Sequence, residues 1–176
     1  MIGRRIADIG RALGMKVLIA ARKRTDSASP DGVLPTPDTD SDRVPFDDVL
    51  RQATVLVLAI PRNPQTLNLI STAEFEKMQP YALLINIARG GIVDEAAAVQ
   101  ALKNKQIAGY ATDVYHVEPL DGPEDTPLLA EDAKDLNITM TPHLAWFSHR
   151  TLKNLGDILK ATVEGWGTGK EINVIV

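Results

Sequence analysis

Three side chains far apart in the sequence have the types needed to carry one reaction between them. Arg89 stands in "NIARGG", Glu118 in "YHVEPL" and His143 in "MTPHLAW", at intervals of 29 and 25 residues. A guanidinium is permanently charged and grips a carboxylate as a fork. An imidazole titrates near neutral pH, so it can give a proton and take one back. A carboxylate that accepts a hydrogen bond from the far ring nitrogen fixes the ring and favours its protonated form. Each residue also has an ordinary reading: an Arg in a strand–helix turn, a solvated Glu before a proline, a strand-end His satisfied by a backbone carbonyl. The choice turns on the elements that position them.

The chain has 176 residues, enough for one domain or a domain with a tail, and enough to bury a core. Apolar residues make up 44% and charged residues 24%, as in a soluble globular protein. Net charge is −4 and no basic stripe stands out, so neither nucleic acid nor a membrane surface is the expected partner. No apolar run approaches the roughly 18 residues of a membrane span. The chain has no cysteine, which excludes disulfides and thiolate chemistry and is compatible with a reducing compartment. A cytoplasmic location is the expectation, and no metal site is expected.

Five short apolar runs read as strands: residues 16–21, 54–60, 82–88, 107–114 and 137–141. They are continuous rather than alternating, which is how strands read when both faces are covered. Helical patterns lie between them. Ile2, Ile6, Ile9 and Leu13 recur at helical spacing before Gly14; Ser71 precedes Glu74 at capping-box spacing; Asp94 precedes "EAAAVQALK"; Leu152, Leu155, Leu159 and Val163 share one face of a last helix. Residues 25–42 and 118–128 are rich in Asp and Pro and read as surface loops. The alternation implies an α/β fold, a doubly wound parallel sheet of Rossmann type.

Four segments in order, "AIPRNPQTLNLI", "LINIARGGIVDEAAAVQAL", "AGYATDVYHVEPL" and "NITMTPHLAW", resemble the cofactor domain of the D-isomer-specific 2-hydroxyacid dehydrogenases. The resemblance rests on Asn86, Arg89 and Gly90; on Asp113, Val114, Glu118 and Pro119; and on Thr141, Pro142 and His143. "TPHLAW" is most similar to the glycerate, glyoxylate and hydroxypyruvate reductase branch. The resemblance implies hydride transfer between NAD(P)H and a small 2-oxo acid. Arg89 would hold the carboxylate and polarise the ketone, His143 would exchange the proton, Glu118 would orient His143, and Trp146 would line the substrate side. It also implies a homodimer formed through this domain. A non-catalytic NAD(P)-binding or dimerisation module, like the family's corepressor relatives, is the alternative.

For the cofactor, the resemblance carries Asp113 to the nicotinamide carboxamide, Pro61 and Thr66 to the adenine and phosphate region, and Ala88 to a backbone contact. Ile2 and Gly3 would flank the pyrophosphate at a helix N-terminus, where free N–H groups favour anions. An NAD enzyme usually ends its second strand with a carboxylate for the ribose hydroxyls. Here that place reads "IAARKR", and Arg22 and Lys23 would welcome a 2′-phosphate, so NADP is expected over NAD.

The chain opens on a helix rather than a strand and glycine turn, with "MIG" in the place of the turn's second half. The expectation is an N-terminally truncated piece, lacking the first strand of its sheet and a substrate domain, with little activity alone. Residues 1–147 would form the incomplete cofactor domain, and 148–176 a helix and tail returning to the absent domain.

Overall fold

The computed structural model of the protein describes residues 2–23, 43–170, 172 and 173. Arg24, the 25–42 loop and most of the "EINVIV" tail lie outside the described residues. The chain divides into two compact units, Met1–Pro142 and His143–Val176.

The first unit is built on four parallel strands in the order β1–β2–β3–β4: Val55–Leu58, Leu83–Asn86, Gly109–Thr112 and Ile138–Met140. Helices α1 (Ile2–Ala12), α2 (Phe46–Gln52), α3 (Thr72–Phe75) and α4 (Glu95–Lys103) accompany them. This is the α/β parallel sheet expected from the continuous apolar runs. The register aligns Leu58, Asn86, Thr112 and Met140, so all four strands finish level. The turns that follow therefore emerge along one edge of the sheet, where open α/β sheets bind their ligands.

The core lies against the sheet. Leu50, Ile70, Leu84, Ile92 and Ala98 have no exposed surface, and Phe75 almost none. α4 presents Ala97, Ala98, Val99, Ala101 and Leu102, mostly small side chains that let the helix sit close. Its start is capped as the sequence suggests, the Ala97 N–H donating to Asp94 Oδ1 at 3.0 Å. The α3 cap also forms, with the Ser71 N–H donating to Glu74 Oε2 at 3.1 Å.

Two features depart from the sequence pattern. Among the described residues, 16–21 make one isolated parallel bridge, Ala20 to Val44, instead of a full strand. Pro45 follows at once; it has no N–H to donate and opens α2, which ends the pairing. Second, α1 does not pack through its isoleucines. Ile2, Ile9 and Leu13 are 60–74% exposed, while Ala7 and Gly10 are buried. A Cβ on Gly10 would lie 3.1 Å from Val17 Cγ2, so close contact selects the small-residue face over the greasy one.

The second unit contains α5 (His149–Gly167), whose N-cap Ser148 Oγ accepts from the Thr151 N–H at 3.1 Å. No residue of α5 is buried, and Leu155, Leu159, Val163 and Trp166 stand 52–84% exposed. Among the described residues no helix is long and apolar enough to cross a membrane.

Tyr110 on β3 is a buried phenol, and burial pushes its pKa from 10.0 up to about 12. The unfolded chain therefore releases this proton at lower pH than the native one. Stability should be unaffected by this group below pH 10 and fall as pH rises from 10.0 to about 12, by roughly 3 kcal/mol in all. Denaturant unfolding across that window should show the loss for wild type and its reduction in Tyr110→Phe.

Candidate active site

The turn after β2 is shaped by Asn86, which is 1% exposed. Its Oδ1 accepts from the Ala88 N–H and its Nδ2 donates to the Arg89 carbonyl, both at 3.1 Å. This closed side-chain loop fixes the backbone that carries Arg89. The Arg89 side chain is exposed; its Nη1 donates to the Ala88 carbonyl at 2.7 Å, and no carboxylate pairs with it among the described residues.

Gly90 then meets the next turn with almost no space between. A Cβ there would lie 1.5 Å from the Tyr115 carbonyl oxygen and 2.0 Å from its carbon. Only hydrogen fits. Backbone against backbone, the Arg89 turn is thus locked to the segment that carries Asp113 and Glu118. Gly91 follows with φ +75°, the left-handed region that glycine enters without strain.

The turn after β3 is tied from several sides. The Asp113 N–H donates to the Asn86 carbonyl at 3.0 Å, and the Thr112 hydroxyl donates to the Val114 carbonyl at 2.7 Å. Asp113 is 4% exposed and its Oδ1 accepts from the Thr141 hydroxyl at 2.6 Å. The Tyr115 hydroxyl donates to the Thr141 carbonyl at 2.8 Å. Glu118 Oε1 accepts from the Tyr115 N–H at 2.7 Å, which turns the carboxylate back onto its own loop. Burial pushes the Tyr115 phenol above its ordinary pKa, and the negative charges of Asp113, Glu95 and Glu118 add to the shift.

Glu95 is the residue that sequence reasoning missed. It is the first residue of α4, a place where an acidic side chain usually sits in water facing the helix dipole. Here it is buried. Its Oε1 accepts from the His116 N–H at 2.7 Å and its Oε2 from the Thr126 hydroxyl at 2.5 Å. One carboxylate thus pins the 113–118 turn and the 126 segment to the start of α4, and nothing in the local pattern distinguishes it from a solvated Glu.

Beside these turns lies a cleft of about 960 Å³, lined by Ile2 and Gly3 at the start of α1, by Pro61, Arg62 and neighbours after β1, and by Ala88 and Arg89 after β2. The first turn of α1 holds no acidic side chain, so its free N–H groups face no carboxylate of their own turn. Gly3 brings α1 close to the sheet, a Cβ there reaching 3.6 Å from Ala59 Cβ. The cleft has room for an elongated ligand, with mostly apolar walls and two guanidiniums, Arg62 and Arg89, in its lining. Thr66 is not part of the lining; its hydroxyl donates to the Pro61 carbonyl at 2.8 Å and shapes the 61–66 loop. Lys23 Nζ sits 2.9 Å from the buried Glu74 carboxylate, whereas Arg22 is exposed.

The second unit supplies His143 and Trp146. His143 has φ +55°, a left-handed conformation that costs a non-glycine residue about 1–2 kcal/mol. Its carbonyl accepts from the Trp146 indole N–H at 2.8 Å, and Trp146 packs edge-on against Phe147 with ring centroids 5.6 Å apart. Backbone strain of this kind concentrates at functional positions.

Residues 1–145 match the sequence pattern described as "D-isomer specific 2-hydroxyacid dehydrogenase, NAD binding domain". The chain belongs to this family. The glycerate dehydrogenase of Methylorubrum extorquens is 40% identical over 174 residues, 99% of this chain and 49% of that protein. The NAD complex of a D-isomer specific 2-hydroxyacid dehydrogenase from Lactobacillus delbrueckii ssp. bulgaricus superposes with a TM-score of 0.79 at 30% identity, over 99% of this chain and 53% of the other. An NADPH-dependent glyoxylate/hydroxypyruvate reductase from Sinorhizobium meliloti, bound to NADP and malonate, gives 0.77 at 26% identity, over 99% and 50%. The chain spans about half the length of the curated relatives it matches. The matched pattern is that of an NAD-binding domain.

The lock between turns gives a direct test. Gly90→Ala forces a methyl into the Tyr115 carbonyl, and backbone cannot swing aside as a side chain can. It should cost about 3 kcal/mol or more in chemical unfolding, whereas Gly156→Ala, where a Cβ meets nothing within 4 Å, should cost nothing.

Proposed function

We propose that the protein carrying this chain transfers a hydride between NAD(P)H and a small 2-oxo acid of the glyoxylate or hydroxypyruvate type, interconverting it with the D-2-hydroxy acid. The observation that carries the reading is the junction of the Arg89 turn with the Asp113–Glu118 turn, formed at Gly90 and Tyr115 beside the dinucleotide cleft. When bound, the nicotinamide supplies the hydride in reduction and accepts it in oxidation.

Ile2, Gly3, Pro61 and Ala88 would hold the cofactor along the cleft, and Thr66 would keep the 61–66 loop in shape for it. Asp113, fixed by Thr141, would accept a hydrogen bond from the carboxamide. Arg89, with no carboxylate partner of its own among the described residues, would clamp the substrate carboxylate and stabilise negative charge growing on the ketone oxygen. His143 would deliver the proton to that oxygen, with Glu118 as its orienting carboxylate. Trp146 would line the substrate side. At the adenine end no carboxylate occurs among residues 20–23, so NADP is preferred; Lys23 is already paired, which leaves Arg22 as the described cation for a 2′-phosphate. The same reading places the enzyme in the cytoplasm as a homodimer, supported by the apolar stripe that α1 leaves exposed.

The full protein should reduce glyoxylate or hydroxypyruvate faster with NADPH than with NADH. His143→Asn tolerates the left-handed backbone but cannot exchange the proton; kcat should fall about 10²–10⁴-fold with the thermal midpoint unchanged. Arg89→Ala should lose about 1.5–3 kcal/mol of transition-state stabilisation for each hydrogen bond removed. Full turnover in His143→Asn would overturn the assignment. For the dimer, sedimentation of wild type should give twice the chain mass, and Ile9→Lys should give the monomer.

A further inference from the structure

The cleft holds a second guanidinium that neither the fold nor the proposed chemistry has used. Arg62 lies in the lining, is exposed, and has no hydrogen-bond or ion-pair partner among the described residues. Its backbone is held in place. Pro61 precedes it, the Asn63 N–H donates to Thr66 Oγ1 at 2.8 Å, and the Thr66 N–H donates to Asn63 Oδ1 at 3.0 Å. The side chain reaches the Arg89 turn: a Cβ on Gly91 would lie 3.5 Å from the Arg62 guanidinium carbon and 3.0 Å from His116 Nδ1. Gly91 thereby leaves room for both groups.

No acidic residue lines this cleft. Arg62 and Arg89 are therefore two like charges on one concave wall without a carboxylate to separate them. Such a wall concentrates positive potential and draws in a molecule with more than one anionic group. Arg89 takes one carboxylate in the reading above. A planar fork with no partner among the described residues is suited to a further oxyanion.

We propose that Arg62 is a specificity-determining residue that binds a second oxyanion in this cleft, either a phosphate oxygen of the dinucleotide or a second anionic group on the 2-oxo acid. The assignment rests on the cleft being the NAD(P) and 2-oxo acid site. It gives a role to the exposed cation that stands between Pro61 and Pro64.

The test compares wild type, Arg62→Gln and Arg62→Lys in the full protein. NADPH affinity is read by titration, and kcat/KM is read with a singly charged 2-oxo acid (glyoxylate) and a doubly charged one (oxaloacetate). If the oxyanion is the cofactor's phosphate, Arg62→Gln weakens NADPH about tenfold or more, lowers both substrates equally, and Arg62→Lys recovers part of the loss. If it belongs to the substrate, NADPH affinity is unchanged and oxaloacetate falls about tenfold or more relative to glyoxylate. Unchanged values for all three in a variant that folds normally would overturn the role of Arg62. A wild type that binds NADPH and turns over neither acid would overturn the catalytic reading, while the phosphate arm would still decide Arg62. A wild type that binds no dinucleotide would remove both.

Discussion

The hydrogen atom that stands in for a side chain at Gly90 is the constraint on which the site depends. Two turns leave the ends of neighbouring strands, and they touch because one has no Cβ where the other has a carbonyl 1.5 Å from the space a Cβ would fill. A parallel register brings strand ends level, but it does not by itself press the following turns together. That contact fixes the backbone of the Arg89 turn against the backbone of the turn that carries Glu118. The hydrogen bonds of Asn86 act on the same junction from below, since they fix the backbone through which Arg89 leaves the sheet.

A second layer holds the junction in place. Glu95 gathers a backbone N–H from the 116 position and a hydroxyl from Thr126, while Thr141 gathers Asp113 and Tyr115. In three of these the acceptor is a buried carboxylate, each worth about 1.5–3 kcal/mol and costly to leave half-made, while the Tyr115 hydroxyl donates to a neutral carbonyl. The phenol of Tyr115 records the negative field that results, its pKa raised by burial and by three neighbouring carboxylates. The cleft lining, by contrast, holds Arg89 and Arg62 and no acidic side chain among the described residues.

Much of this was legible in the residues. Strands β1 to β4 fell inside the apolar runs, since a strand covered on both faces has little choice but to be apolar throughout. The caps at Ser71 and Asp94 formed as their spacing implied, being local interactions over three residues. Failures came where local pattern and tertiary context disagree. The run at 16–21 has strand composition but gained a single bridge, because a strand exists only through its neighbours. Ile2, Ile9 and Leu13 of α1 have core periodicity but face outward, because the close approach at Gly10 and Ala7 was decided by the sheet side of the helix. Thr66 and Lys23 carry groups suited to a phosphate, and both spend them on the protein itself.

The sequence alone determined the family and the order of the strands along the chain, and it nominated Arg89, Glu118 and His143 as candidates, because side-chain chemistry and short-range spacing are properties of the chain. Only the tertiary structure decided that Glu95 is buried rather than solvated, that Gly90 is a point of contact, and that Arg62 shares a cleft wall with Arg89. Those facts depend on which segments the sheet brings together from tens of residues apart, and burial, close approach and the absence of a counter-charge are properties of that neighbourhood.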